Sequence, residues 1–221
     1  MTSQFGSRFN HDSEAEGYDL DVQNQEDPIR TGYDELLEWV IESAAINPDS
    51  RVLELGSGTG NLSCRIGDCA ELIAVDLSDQ MEAIARSKLG HLSNRRFVQC
   101  DILGALDHAP GPFDRVISTY TIHHLTEPEK YTLFAKIRRS LTKGGCAVFG
   151  DLMVKDRAAL DSKIREYTAK NYEATVEALK EEFFWYLDPS IEKLENLGFQ
   201  VKVKRFSDLS YGVLAALGSH D

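Results

Sequence analysis

The stretch LELGSGTGNL, Leu53 to Leu62, places Gly56, Gly58 and Gly60 at alternate positions directly behind a short apolar run. Glycine loses more backbone freedom on folding than any other residue, so three in so short a span suit a chain that turns sharply or lets a ligand approach its backbone. A glycine loop behind a strand is at home in an open α/β sheet, where ligands sit beyond the carboxyl ends of the strands and the first loop is the usual cradle. The remainder of such a chain has to alternate strands and helices.

That alternation is present. RVLEL (51–55), LIAVD (72–76), RFVQC (96–100), RVIST (115–119) and CAVFG (146–150) are short runs without an exposed polar face, as expected of strands covered by helices on both sides. Leu36, Leu37, Val40, Ile41 and Ala44 recur at helical spacing before Pro48, and Met81, Ile84, Ala85, Lys88 and Leu89 do so behind Ser78, a good N-cap. A third helix is predicted from about Glu127 to Leu141, opened by Thr126 and Glu129 as a capping box with Pro128 in the first turn and stopped at Gly144-Gly145. A long helical stretch is expected over 156–197. Beyond Gly198, FQVKVKRF and YGVLAAL lie too close together for a helical crossover and should form an antiparallel hairpin. With 221 residues, this is one domain's worth of chain. We expect an acidic leader or lid over 1–32, a single domain over 33–221, and a helical substrate cap within it at about 152–197.

The formal net charge of −12 is concentrated at the front, where the first 50 residues carry twelve acidic groups against Arg8 and Arg30. An acidic leader argues against nucleic acid and anionic membrane surfaces as partners. It fits either a solvated surface or a lid that disfavours polyanionic substrates. The opening residues have neither a basic nor an apolar signal region, and no apolar run approaches the length needed to span a bilayer, so a cytoplasmic protein is expected. Cys64, Cys69, Cys100 and Cys146 form no CxxC pair and no zinc spacing. They read as reduced thiols, with Cys100 and Cys146 inside strands.

Two rival glycine motifs are each one residue short: Asn61 follows Gly60 where a dinucleotide or phosphate loop needs glycine or lysine. Asp76, at the end of the second strand, could accept both hydroxyls of an unmodified ribose. Asp101, in QCDIL after the third strand, could accept from an adenine amino group. With these marks in strand order, the chain resembles the class I S-adenosylmethionine-dependent methyltransferases. VLELGSGTGNLS is similar to their glycine-rich first motif, VDLSDQM to their ribose motif, QCDIL to their adenine motif, FDRVISTYTIHHL to their fourth-strand motif and LTKGGCAVFGD to the entry into their fifth strand. Within that family the likeness is to small, uncharacterised bacterial methyltransferases. The resemblance covers nearly the whole chain and implies a doubly wound, Rossmann-like α/β sheet of seven strands, in the order 3-2-1-4-5-7-6 with the last antiparallel and helices on both faces.

The resemblance also implies site roles. Gly56 and Gly58, with Glu54 and Ser57 of the same segment, would approach the methionine portion of the cofactor S-adenosyl-L-methionine, and Asp76 would hold its ribose. Leu77 and Met81 would pack on the adenine, Asp101 and the Ile102 backbone would read its polar edge, and the Ser118 carbonyl would take the ammonium group. Tyr18 matches the family's leader tyrosine, although FNHDSEAEGYD departs from the usual spacing and leaves Tyr33 as a competitor.

The sulfonium methyl carbon is already a strong electrophile, so such a protein aligns a nucleophile and excludes water. A base is needed only for a protonated acceptor, and His123 and His124 are the catalytic candidates. His124 equally suits a role packed beneath the site. No carboxylate follows the fourth strand in STYTIHHL to chelate a metal with a catechol-type acceptor, and no Pro-Pro follows Ser118 as in base-modifying enzymes. Metal-independent transfer to a small molecule, releasing S-adenosyl-L-homocysteine, by a monomer or homodimer, is the expected function. Phe183, Phe184, Trp185 and Tyr186 could wall an apolar acceptor, yet at least two are expected in the core. Two alternatives stay open: a non-catalytic cofactor-binding partner or regulator, and an NAD-dependent oxidoreductase.

Overall fold

The computed structural model describes residues 1–218 apart from Asn10, Gln25 and His91. The five two-faced apolar runs are all strands: β1 (Arg51–Leu55), β2 (Glu71–Asp76), β3 (Arg95–Gln99), β4 (Phe113–Thr119) and β5 (Leu141–Val154). They pair in parallel, β3-β2-β1-β4-β5. The closing hairpin adds β7 (Phe199–Arg205) and β8 (Ser210–Leu217), with β8 antiparallel to both β5 and β7. One two-residue strand, β6 (Trp185–Tyr186), pairs with the far end of β5. With β6 set aside, the order β3-β2-β1-β4-β5-β8-β7 is the seven-strand order expected from the sequence.

Side chains alternate across this sheet into two apolar layers. Leu53, Leu55, Ile73, Val75, Val116 and Phe149 face one layer, and Val52, Leu72, Ile117 and Val148 face the other. The first layer is completed by α5 (Glu127–Ser140), whose Phe134 meets Phe149 and Trp185 with ring centroids 5.2–5.8 Å apart. The second is completed by α2 (Tyr33–Ala44), which buries Leu36, Leu37, Val40 and Ala44. Gly150 and Gly212 face each other across β5 and β8. A Cβ on them would come within 2.1 Å of Leu36 and 2.2 Å of Trp39, so the bare strip they form is what lets α2 settle on the sheet. Of the predicted caps, Ser78 accepts from the Met81 amide at 3.0 Å to open α3 (Asp79–Leu89), and Thr126 and Glu129 form the capping box of α5.

The glycine loop is followed by a 3-10 turn at Ser63–Arg65. Three expectations need correction. Helix α5 stops at Ser140 rather than at the glycine pair. Leu141 already pairs with Phe113, and Gly144-Gly145 fall where the β4–β5 register shifts. Cys100 lies just beyond β3 rather than inside a strand. The stretch over 156–197 is three helices, α6 (Arg157–Ala169), α7 (Glu173–Glu181) and α8 (Leu187–Asn196), interrupted by β6. Pro189 sits in the first turn of α8, where its missing N–H costs nothing. Of the aromatic quartet, Phe184 and Trp185 are buried in the core, as expected.

The leader is structured around α1 (Ala15–Asp21) with 3-10 turns at Gly6–Arg8 and Asp12–Glu14. A further helical turn, α4 (Ala105–His108), precedes β4. Among the described residues no helix is long and apolar enough to cross a membrane.

Candidate functional site

A cavity of about 570 Å³ opens at the carboxyl ends of β1, β2 and β4, walled on its outer side by the leader. The glycine loop forms its floor. The Gly56 and Ser57 amides donate to the Val75 carbonyl at 2.8 and 2.9 Å, and the Gly58 amide donates to Asp76 Oδ2 at 2.7 Å. The loop is thereby stitched to the end of β2. Gly56 has φ +72°, and a Cβ there would fall 2.0 Å from Thr121 Oγ1, so this position requires glycine. Gly58 also has positive φ, but nothing lies within 4 Å of where its Cβ would be. Ser57 Oγ is buried without a hydrogen-bond partner.

Asp76 closes the adjoining wall. Its Oδ1 accepts the Ser78 amide at 2.9 Å, and each carboxylate oxygen keeps a lone pair for another donor. Burial raises its pKa, against the pull of the backbone N–H groups. Leu77, Met81 and Ile102 line the same end. Asp101 lines it too, with Oδ1 accepting the Leu103 amide at 2.8 Å. Its Oδ2 is held by the leader, accepting from the Ser3 amide at 3.0 Å and from the Ser3 hydroxyl.

Two sequence candidates stand behind the wall. Ser118 is buried inside β4 with its hydroxyl donating to the Leu55 carbonyl at 2.7 Å, and Thr119 takes the lining position instead. Glu54 is buried under the glycine loop, accepting from the Ser63 hydroxyl. Burial pushes its carboxyl up to about 8. Neither is among the residues lining the cavity.

Tyr18 and Tyr33 both line the cavity, so the leader's two candidates share one wall. The Tyr33 ring lies tilted against Tyr120 with centroids 5.2 Å apart, and its hydroxyl accepts from Asn61 at 3.3 Å. Arg30, which sequence reasoning passed over, lies over the Tyr18 ring at 5.6 Å and donates to Asp21 at 2.7 Å. It is one of only two basic residues in an otherwise acidic front segment, which was the signal for it.

The other end of the cavity is built by the 3-10 turn Ile122–His124 after β4. His123 is buried, with Nδ1 2.5 Å from Asp151 Oδ1 and Nε2 3.1 Å from Glu182 Oε2. Burial opposes its charge, but Asp151 and Glu182 outweigh burial and push its pKa up to about 9. His124 stacks on Phe9 at 4.3 Å and puts Nε2 3.3 Å from His11 Nε2. Burial, then repulsion by His123, hold its pKa well below the ordinary histidine value. Asp151 and Glu182 were invisible to motif reading because they come from β5 and from the end of α7.

The leader is fastened over the cavity by polar clasps. Asp12 accepts from the Ser78 hydroxyl at 2.6 Å, and Asp19 accepts from Thr59 and Lys88, both at 2.6 Å. These two leader carboxylates thus meet partners on the domain rather than bulk solvent.

Known proteins agree with this architecture. Residues 52–145, from β1 into β5, match the model of a methyltransferase domain. An uncharacterized methyltransferase of Bacillus cytotoxicus is 30% identical over 214 residues, covering 94% of this chain and 95% of that protein. Among solved structures, the DhpI–SAH complex superposes with a TM-score of 0.66 at 20% identity, covering 95% of this chain and 94% of the other. The N-methyltransferase NodS of Bradyrhizobium japonicum with S-adenosyl-L-homocysteine gives 0.65 at 15% identity, covering 93% and 99%. At those identities the two structures bear on the fold, while the Bacillus relative bears on descent. The chain belongs to the methyltransferase family that includes these uncharacterized methyltransferases of bacteria.

Proposed function

We propose that this protein transfers the methyl group of S-adenosyl-L-methionine to a small-molecule acceptor in the cytoplasm. The observation that carries the reading is the floor of the cavity, where Gly58, Asp76 and the unpartnered Ser57 hydroxyl converge on one space. An orphaned buried hydroxyl and a glycine with open space above it are what a cradle awaiting a polar ligand presents.

Asp76 would hold the ribose, and Leu77, Met81 and Ile102 the adenine, with Asp101 at its polar edge once Ser3 yields. Gly56, Ser57 and Gly58, with Tyr18 from the lid and Tyr33 from α2, would surround the methionine end. The Ser118 role passes to Thr119, and Glu54 would act from beneath by holding the loop. When bound, the cofactor supplies an electrophilic methyl carbon; the chain supplies alignment and exclusion of water. His123 and His124 would handle the acceptor's proton at the opposite end, with Asp151 fixing the His123 ring. Since STYTIHHL carries no carboxylate, we assign no oxygen-ligated magnesium of the catechol type. The space left beside a nucleoside cofactor in about 570 Å³ supports a small acceptor over a macromolecular one.

The test is a thermal-shift titration with S-adenosyl-L-methionine, S-adenosyl-L-homocysteine and NAD in parallel. Binding to the folded state alone at 100 times the dissociation constant adds about 2.7 kcal/mol, a readable shift. Stabilisation by the first two and not by NAD is expected, with Asp76→Ala weakening that binding by about 1–3 kcal/mol. Stabilisation by NAD alone, or by none of the three in folded protein, would overturn the reading.

A further inference from the structure

The acceptor end of the cavity holds a set of donors that proton handling alone does not require. His123, His124 and Glu182 each offer one ligand atom, and the three atoms lie within 4.8 Å of one another. Nδ1 of His123 is engaged by Asp151, whose carboxylate also accepts from the Trp185 indole at 3.1 Å and from the His123 and Leu152 amides at 3.1 and 2.8 Å. That leaves Nε2 as the His123 donor, with its ring orientation locked by a buried carboxylate. A carboxylate behind a ligating imidazole is how proteins orient and strengthen histidine ligands. The Phe183 amide donates to the His123 carbonyl at 2.9 Å, which keeps Glu182 beside the imidazoles although α7 lies far away in sequence.

Glu182 Oε2 and His124 Nδ1 are buried without a hydrogen bond, and the Glu182 oxygen faces His123 Nε2 at 3.1 Å, an ion pair only while that imidazole is protonated. Buried polar atoms without a hydrogen bond are costly, and two on residues of one cluster point to a partner that both can bind. A third imidazole, His11 of the leader, stands 3.3 Å from His124.

We infer that His123, His124 and Glu182 form a binding site for one divalent transition-metal cation of the zinc class. Two imidazoles and one carboxylate suit Zn²⁺ and its first-row neighbours, whereas Mg²⁺ and Ca²⁺ demand oxygen ligands. Bonds of about 2.0–2.2 Å call for donors roughly 3.3 Å apart, so the side chains draw together by rotation as the cation enters. A fourth position stays open toward the cavity, as in catalytic rather than structural sites. Its role at the acceptor end rests on the methyl-transfer reading. With the cation bound, His123 and His124 serve as its ligands in place of proton acceptors. An alcohol or thiol of the acceptor binding there loses its proton to solvent, and the electron pair of the broken O–H or S–H bond stays on the heteroatom and binds the cation. The sequence expectation of metal independence considered only residues after β4, and Glu182 arrives from nearly sixty positions further on.

The experiment titrates tag-free, full-length protein with Zn²⁺ alone against a chromophoric chelator, and with Co²⁺ for its visible spectrum. One equivalent of Zn²⁺ per chain is expected, with affinity falling at least tenfold in Glu182→Gln and in Asp151→Asn. Co²⁺ should give tetrahedral d–d bands without a thiolate charge-transfer band. Less than one equivalent, equal affinity in Glu182→Gln, or a thiolate band pointing to the exposed Cys64 would overturn the site. Asp151 is buried and its variant could fail to fold, whereas Glu182 lies at the cavity rim, so Glu182→Gln decides alone if need be. S-adenosyl-L-homocysteine binding is measured on the same samples. Its retention with no metal binding overturns the metal site only, and its loss overturns the cofactor reading only.

Discussion

The two ends of the cavity are made in different ways. At the glycine end the loop and Asp76 sit at the tips of adjacent parallel strands and are tied together by backbone amides, Gly56 and Ser57 to the Val75 carbonyl and Gly58 to the Asp76 carboxylate. At the histidine end the groups come from a 3-10 turn, from β5, from the end of α7 and from the leader, and they meet through side chains. A site carried on adjacent strand ends is rigid and local in sequence. One assembled from distant segments is free to vary its specificity while the first stays fixed.

The sharpest way to break this comparison is at its rigid end. Gly56→Ala puts a methyl where Thr121 Oγ1 would be 2.0 Å away, on a backbone at φ +72°. Strain of about 1–3 kcal/mol at the backbone alone is expected, plus the displacement of Thr121. Denaturant unfolding should show that loss, and calorimetry should show S-adenosyl-L-homocysteine affinity reduced at least tenfold. Unchanged affinity would mean that the loop is not the floor we describe.

A second measurement sharpens it. Buried Glu54 keeps its proton up to about pH 8 in the folded chain, while the unfolded chain releases it near 4.5. Between those values the folded state binds more protons than the unfolded, so stability falls as pH rises, by at most about 1.4 kcal/mol per unit. Glu54→Gln should flatten this decline between pH 5 and 8. A parallel slope in both proteins would place the titrating group elsewhere.

The smallest effect concerns the leader. Lys88 and Thr59 hold Asp19 below the usual carboxylate range against the influence of burial. Lys88→Ala should cost no more than about 1 kcal/mol, since the pair is partly exposed. It should nevertheless speed hydrogen exchange across residues 11–24. Exchange as slow as in the parent protein would show that the leader is held by its other clasps.

The same contrast explains what could be read from the sequence. Strand order, Asp76, the Ser78 cap and the capping box at Thr126 were legible because each depends on neighbours a few residues away. The sheet's apolar runs reported burial on both faces directly. The break at Phe183–Tyr186 was missed because four consecutive aromatics obscure any period, although Pro189 marked the start of α8. Asp151 behind His123, Glu182 before it and Ser3 on Asp101 were not legible at all. Those contacts join segments whose meeting is decided only when the sheet, helices α6 to α8 and the leader have packed on one another.

The bare strip of Gly150 and Gly212 has a consequence for engineering. It seats α2, and the first residue of α2 is Tyr33, part of the cavity wall. A methyl added at either glycine meets Leu36 or Trp39 within about 2.2 Å, so these side chains, or the helix that carries them, have to shift. The wall of the cavity is thereby coupled to the packing of α2 on β5 and β8, at positions that do not line it.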